Sequence, residues 1–153
     1  MDTIIGDTMH CIEVHKINLS DMPSDINLLD ESVMSKVDEL VDPAITSYIS
    51  KYGLPRSSRG WKLLENYSNL ESEVSIDDIK DEQSVYTVKV FLDSEFSGGQ
   101  INFIHRDLVV DITPGDVLIY PSSYINAYTI MPILSGTQKY LANKYRFPDT
   151  PEG

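Results

Sequence analysis

The segment Phe96-Ser-Gly-Gly-Gln-Ile-Asn-Phe103 decides the fold prediction, because its paired glycines separate two apolar runs. The run before it, Tyr86-Thr-Val-Lys-Val-Phe-Leu92, is typical of a β strand. Gly98 and Gly99 can adopt positive backbone dihedrals without a steric penalty, so the chain can turn tightly between the two runs. Residues 86–147 therefore indicate a sheet that folds back on itself.

A series of short apolar segments follows the paired glycines, with turn residues between them. Pro114-Gly115 turns the chain in the middle of the series. Strands that recur every eight to twelve residues or so, with Gly/Pro turns, are typical of a sandwich or a jelly roll. The predicted strands are 101–104, 108–112, 117–120, 127–133 and 137–145.

Two strands and two helices are predicted before this region. Residues 9–19 show a broken apolar alternation, which indicates a strand with a bulge, and residues 61–67 predict a second strand. Apolar residues at helical spacing predict an amphipathic helix over residues 28–41. Asp42-Pro43 predicts the start of another helix, which ends at Gly53. Both helices are expected to buttress the outside of the sheet.

The length of 153 residues predicts a single domain, mainly β (α+β), with a jelly-roll core. Its N-terminal strand and helices occupy about residues 1–55, the β core about 60–147 and a tail 148–153. His10 and His15 lack partners at metal-ligand spacing, so we expect them at the surface or at a strand edge. Cys11 is the only cysteine, so no disulfide can form within the chain.

The formal net charge of −12 argues against nucleic acid as a partner, because that affinity rests on lysine and arginine displacing counterions. A protein partner, particularly a basic one, or a second copy of the chain fits this charge better. No apolar run approaches the roughly twenty residues that span a bilayer, and the N-terminus does not look like a secretory signal. We therefore expect no membrane association and no secretion.

The order of the turns between the apolar strands resembles the core of the 2-oxoglutarate- and iron(II)-dependent oxygenases. The turns are Gly98-Gly99, Pro114-Gly115, Pro132 and Gly136-Thr137. The resemblance is strongest to the prolyl-hydroxylase-like branch that many tailed phages encode, and it covers about the last ninety residues. It implies a double-stranded β-helix, the jelly roll of that family. It also implies a location in a host cytoplasm or a virion.

The resemblance further implies positions for the residues that hold iron and the co-substrate. The family holds iron with a His-x-Asp pair and a second histidine four residues before a proline, and it holds the far carboxylate of the co-substrate with an arginine or lysine. The matching positions are Ile76 and Asp78 for the pair, Tyr128 for the second histidine and Gln138 for the basic residue.

These positions describe a degenerate site. Isoleucine cannot coordinate iron, a neutral phenol is a poor iron(II) ligand, and glutamine offers no positive charge to a dicarboxylate. We therefore predict no catalytic residues, no bound metal and no cofactor. An alternative places a relocated pair at His105 and Asp107, which have the His-x-Asp spacing, and would restore iron(II) and 2-oxoglutarate.

The leading hypothesis is a non-catalytic oxygenase-like jelly roll that acts as a binding or structural module, for instance in a phage virion or its assembly. One alternative is a divergent 2-oxoglutarate- and iron(II)-dependent hydroxylase. The other is a lectin-like jelly roll with stacking residues Trp61, Tyr120, Tyr124 and Tyr128. The acidic residues 71–82 are expected to form an exposed loop suited to a basic partner, with a calcium or magnesium site as the alternative.

Overall fold

The computed structural model describes residues 10–58, 60–67 and 84–147. Within them it contains one α-helix, three short 3-10 turns and ten strands. The helix α1 is Glu31–Tyr52. The strands are β1 (Glu13–Lys16), β2 (Ser57–Ser58), β3 (Lys62–Tyr67), β4 (Tyr86–Phe91), β5 (Phe96–Gly98), β6 (Ile101–Phe103), β7 (Leu108–Val110), β8 (Asp116–Pro121), β9 (Tyr128–Ile130) and β10 (Ile133–Arg146).

The strands form two antiparallel sheets that pack against each other. The larger sheet has the order β1-β8-β4-β10, and β10 also pairs with β2, β3 and β5. The smaller sheet has the order β7-β6-β9. Phe91 and Leu118 of the larger sheet share a buried cluster with Phe103 and Val110 of the smaller one. The predicted jelly roll is therefore confirmed.

Strand alternation gives the larger sheet two faces with different partners. Val90 and Leu141 belong to a buried cluster with the apolar side of α1. Phe91 and Tyr140, the next residue on each side, contribute to the cluster between the two sheets. We call the face that carries Phe91 the inner face, because it points into the jelly roll.

The helix α1 is continuous, which corrects the prediction of two helices. It begins after Asp30, whose carboxylate accepts from the Val33 amide, and it ends at Gly53. Pro43 lies inside it and on its exposed side, although proline removes one backbone hydrogen bond. The buried positions Val41, Ala44 and Ile45 continue the apolar stripe through this point, so packing on the sheet maintains the helix. No helix in the described ranges is long and apolar enough to cross a membrane.

Two glycines are required where β5 approaches the start of β10. Gly98 has φ = 80°, and a Cβ at this position would collide with the Pro132 carbonyl oxygen. Gly136 has φ = 75°, and a Cβ there would collide with the Glu95 carbonyl oxygen. Both positions therefore combine a left-handed backbone with a close backbone approach.

Candidate ligand-binding site

A buried lysine lies at the centre of the inner face. Lys89 is in β4, opposite Leu118 of β8 and Ala142 of β10, and its side chain is only 4% exposed. The sequence signal for this residue is a single lysine inside the apolar run 86–92.

Three tyrosine rings surround the Lys89 ammonium. Nζ donates a hydrogen bond of 2.8 Å to the Tyr128 hydroxyl and lies 4.0 Å from the centroid of that ring. The Tyr120 and Tyr140 centroids are each 5.5 Å away. Aromatic faces attract cations, and this attraction is larger when the cation is removed from water. The site is therefore a buried cationic centre with an aromatic wall.

Tyr128, at the position of the family's second histidine, is part of this wall. Its ring packs on Phe103 and Tyr120, and it is 7% exposed. Its hydroxyl oxygen accepts a hydrogen bond from the Lys89 ammonium, so a metal ion at that oxygen would lie beside a positive charge. Repulsion between the two cations makes this an unfavourable iron position.

Gln138, at the position of the family's basic residue, is fully buried and hydrogen bonded within the chain. Its Nε2 donates to the Gly99 carbonyl at 3.0 Å, and its Oε1 accepts from the Asn66 amide at 2.8 Å. Gly99 must lack a side chain here, since a Cβ would lie 2.7 Å from Gln138 Nε2. The amide therefore stabilises the junction of β3, β10 and the glycine turn, and it brings no charge to the interior.

The relocated pair lies at the surface of the described part of the chain. His105 and Asp107 have exposed side chains in the turn between β6 and β7, and Arg106 between them donates to the Asn126 side chain at 3.0 Å. Ile76, Asp78 and the acidic stretch 71–82 lie outside the described residues. Among the residues that are described, no three His, Cys, Asp or Glu side chains are close enough to hold a metal ion.

The aromatic residues considered for carbohydrate stacking are in the core. Trp61 is 5% exposed and donates to Asp38, and Tyr120 is 1% exposed. With Tyr128 they are inaccessible to a sugar ring, and the side chain of Tyr124 is not described. Core packing explains the rings of Trp61, Tyr120 and Tyr128.

A second polar cluster lies on the outer face of β1, under the C-terminal half of α1. Glu13 is fully buried, and its Oε2 accepts from Lys51 at 2.8 Å and from the Tyr52 hydroxyl at 2.7 Å. Its Oε1 lies 2.8 Å from His15 Nε2. His15 was expected at the surface or at a strand edge: β1 is an edge strand of the larger sheet, but the side chain is only 1% exposed, because α1 covers this strand.

Hydrogen bonding sets the charge of Glu13. Burial by itself raises the pKa of this carboxyl, but the bonds from Lys51, Tyr52 and His15 outweigh that effect and hold the pKa below its ordinary value. The carboxylate is thus charged at neutral pH and ties β1 to α1.

Comparisons with known proteins identify the fold. No protein-family model matches this sequence, and no curated protein matches it either. A truncated viral collagen prolyl hydroxylase from Paramecium Bursaria Chlorella virus-1 aligns with a TM-score of 0.70, 13% identity, and coverage of 87% of this chain and 88% of that one. A Pseudomonas putida prolyl-4-hydroxylase gives a TM-score of 0.66, 10% identity, and coverage of 95% and 90%.

The fold is that of the prolyl-hydroxylase-like oxygenases. An oxidoreductase of the 2OG-Fe(II) oxygenase family from Burkholderia pseudomallei also aligns, with a TM-score of 0.54, 15% identity, and coverage of 95% of this chain and 72% of that one. The resemblance drawn from the turn pattern is therefore confirmed for the fold. At identities this low, the alignments show that the backbones are alike and do not show that the site residues correspond.

The prediction that the chain uses no cofactor is contradicted by these structures. One similar protein is an oxidoreductase of the 2OG-Fe(II) oxygenase family, and the viral collagen prolyl hydroxylase was also solved as a 2OG complex, so these proteins point to iron(II) and 2-oxoglutarate. Tyr128 does not fit iron in the way the family holds it, because its hydroxyl is hydrogen bonded to the Lys89 ammonium. Gln138 does not fit the co-substrate carboxylate in the family's way, because its side chain is bonded to the Asn66 amide and the Gly99 carbonyl. The other two positions lie outside the described residues.

Proposed function

We propose that the jelly roll binds a small carboxylic acid of the 2-oxoglutarate type, and that the Lys89 ammonium supplies the positive charge for it. The observation that carries this proposal is the position of Lys89, a buried cation on the inner face of an oxygenase fold. Gln138 is neutral and bonded within the chain, so the counter-charge comes from a different strand than the family position suggests.

The chemistry of the site suits a carboxylate. Hydrogen bonds between an ammonium and a carboxylate are about twice as strong as neutral ones, and an interior of low dielectric strengthens them further. The Tyr128 hydroxyl lies within 2.8 Å of Nζ and is a second polar group for the same ligand. The rings of Tyr120 and Tyr140 exclude water from the apolar part of the acid.

Binding is the function proposed, and no hydroxylation step is derived from these residues. Iron(II) in an oxygenase supplies the redox chemistry, and Tyr128 does not fit as its ligand. The hypothesis of a binding module, with an assembly role in a virion, is compatible with this proposal. The partner and the location remain predictions.

Isothermal titration of the purified protein with 2-oxoglutarate tests the proposal. We expect Lys89→Met to weaken binding about ten- to a hundred-fold, since a hydrogen bond to a charged group contributes about 1.5–3 kcal/mol and 1.4 kcal/mol is tenfold. Lys36→Met is the matched control, because Lys36 is exposed on α1. The dimethyl ester of 2-oxoglutarate, which carries no charge, should bind weakly to Lys89→Met and to Lys36→Met.

Two results would reject the proposal. The first is equal affinity of Lys89→Met and wild type, with thermal melting showing that both are folded. The second is 2-oxoglutarate binding that requires added iron(II) under anaerobic conditions and is unaffected by Lys89→Met, because the metal would then anchor the acid.

A further inference from the structure

A cavity of about 250 Å³ lies on the outer face of the larger sheet, on the side away from the smaller sheet. The sheet contributes Leu63 of β3 and Leu92, which both pack into the cluster beneath α1. The segment 19–26 crosses the sheet here and contributes Leu19, Met22 and Ile26. We call this space the outer cavity, and these five side chains give it an apolar lining.

Backbone hydrogen bonds hold both sides of the outer cavity in place. The Met22 amide donates to the Leu19 carbonyl at 3.0 Å, which closes a 3-10 turn on one side. On the sheet side, the Leu92 amide donates to the Lys139 carbonyl at 2.9 Å, and the Lys139 amide donates to the Ser94 hydroxyl at 3.3 Å. The folded backbone therefore shapes the cavity before any ligand arrives.

Two exposed side chains of opposite charge, Asp93 and Lys139, also line the outer cavity. Within the described residues neither side chain makes a hydrogen bond or an ion pair, either with the other or with Glu65, which lies opposite Lys139 on β3. Asp93 follows Leu92, whose amide is bonded to Lys139, and neighbouring strands are about 4.8 Å apart. Both charges are therefore within reach of one small molecule.

The size and the lining of the outer cavity suit a small apolar group. Pockets for drug-sized molecules have volumes of about 300–1,000 Å³, so a cavity of about 250 Å³ suits a smaller ligand. Leu19, Met22 and Ile26 are only half-buried, so part of their apolar surface still contacts water. A ligand that covers this surface removes it from water, which favours binding.

The two charges decide which apolar ligand fits. An apolar acid would pair with Lys139 but would be repelled by Asp93, and an apolar amine would meet the reverse situation. An α-amino acid carries a carboxylate and an ammonium on the carbon that bears its side chain, so it can pair with both. We propose that the outer cavity binds a free amino acid with an apolar side chain, such as leucine. The site lies on the other face of the sheet from Lys89, so the inference goes beyond the proposed function and does not depend on it.

Titration with L-leucine, followed by nitrogen–proton correlation NMR spectra of the whole protein, tests this inference. We expect saturable shifts at the amides of Leu92, Asp93 and Lys139. Three ligand controls each remove one feature: isocaproate lacks the ammonium, isoamylamine lacks the carboxylate and glycine lacks the apolar side chain. Each should bind more weakly than leucine.

Variants of the two exposed charged residues locate the binding site without disturbing the core. We expect Lys139→Gln and Asp93→Asn each to weaken leucine binding about threefold, which is within the range of exposed ion pairs. Lys36→Gln and Asp111→Asn are the matched controls, because both residues are exposed and lie outside the cavity lining, and they should leave the affinity unchanged.

The outcomes separate this inference from the proposed function. If 2-oxoglutarate binds through Lys89 but leucine causes no saturable shifts at the outer cavity, the inference is wrong and the proposed function stands. Isocaproate that binds as tightly as leucine would overturn the inference, because Asp93 would then have no part in recognition. N-acetyl-leucine amide that binds as tightly as leucine would also overturn it, since the cavity would then accept the side chain of a peptide. Equal leucine affinity of Lys139→Gln and Lys36→Gln would show that the proposed contact is absent.

Discussion

Replacement of Glu13 by glutamine should destabilise the protein, and more at neutral than at acidic pH. Glu13 is fully buried and accepts from Lys51 and Tyr52, with His15 at its other oxygen. Glutamine has nearly the same volume, so the change removes charge without leaving a cavity. The amide keeps one accepting oxygen and presents an NH2 group in place of the other, so every contact loses the carboxylate charge and one acceptor position is lost.

The expected loss is about 2 kcal/mol in the free energy of unfolding. Hydrogen bonds to charged groups contribute about 1.5–3 kcal/mol and neutral ones about 0.5–1.5 kcal/mol, so each of the three contacts loses about 1 kcal/mol. The Lys51 side chain is 40% exposed, and solvent screening reduces its share. The sum is therefore nearer 2 than 3 kcal/mol.

The pH dependence follows from the lowered pKa of Glu13. Its ordinary value is 4.5, and the folded value is lower, so the unfolded state binds more protons in between. The stabilisation is present above pH 4.5 and is lost as the pH falls through the folded pKa. The difference between wild type and Glu13→Gln should therefore shrink in acid.

Urea denaturation followed by the fluorescence of Trp61, the only tryptophan, measures this difference. Glu39→Gln is the matched control, because Glu39 is an exposed carboxylate on α1. A Glu13→Gln effect equal to that of Glu39→Gln would refute the reasoning. So would an effect of the same size at pH 7 and pH 3.

Two further predictions concern the turn glycines and the positions that match the family's iron site. Gly136→Ala should lower the free energy of unfolding by well above the roughly 1–2 kcal/mol of a left-handed alanine, because its Cβ also meets the Glu95 carbonyl. Gly53 has φ = 67° and open space around it, so Gly53→Ala should lose only that amount. Equal losses in urea denaturation would contradict the close approach. The triple variant Ile76→His, Tyr128→His and Gln138→Arg should bind iron(II) more tightly than wild type, because it restores the family's ligands and counter-charge. Anaerobic iron titration measures this affinity, with Gln138→Arg alone as the control. Equal iron affinity of the triple variant and wild type would reject the alignment.

The sequence predicted the architecture through its turns. Gly98, Gly136 and Pro114-Gly115 mark the positions where strands reverse or approach closely, and such backbone demands are visible in residue type alone. Apolar alternation then assigned the strands between them. The failure at Pro43 is of another kind, because packing of Val41, Ala44 and Ile45 on the sheet overrides a local signal that favours a new helix start.

The sites were harder to predict because they depend on contacts between distant strands. Lys89 is one lysine in an apolar run, and only the curled sheet brings it to Tyr128 and Tyr140. His15 was expected at the surface or at a strand edge, and the sequence did not show that α1 would cover it together with Glu13. The resemblance directed attention to Tyr128 but gave no indication of its bond to Lys89.

A crystal structure of the protein grown with 2-oxoglutarate tests the central claim most directly. The account predicts a carboxylate oxygen of the acid about 2.8 Å from Lys89 Nζ, the usual length of a charge-assisted hydrogen bond, with the Tyr128 hydroxyl in contact with the same ligand. Acid bound in the jelly roll but away from Lys89, with its carboxylate at Gln138 or on a metal ion, would contradict it.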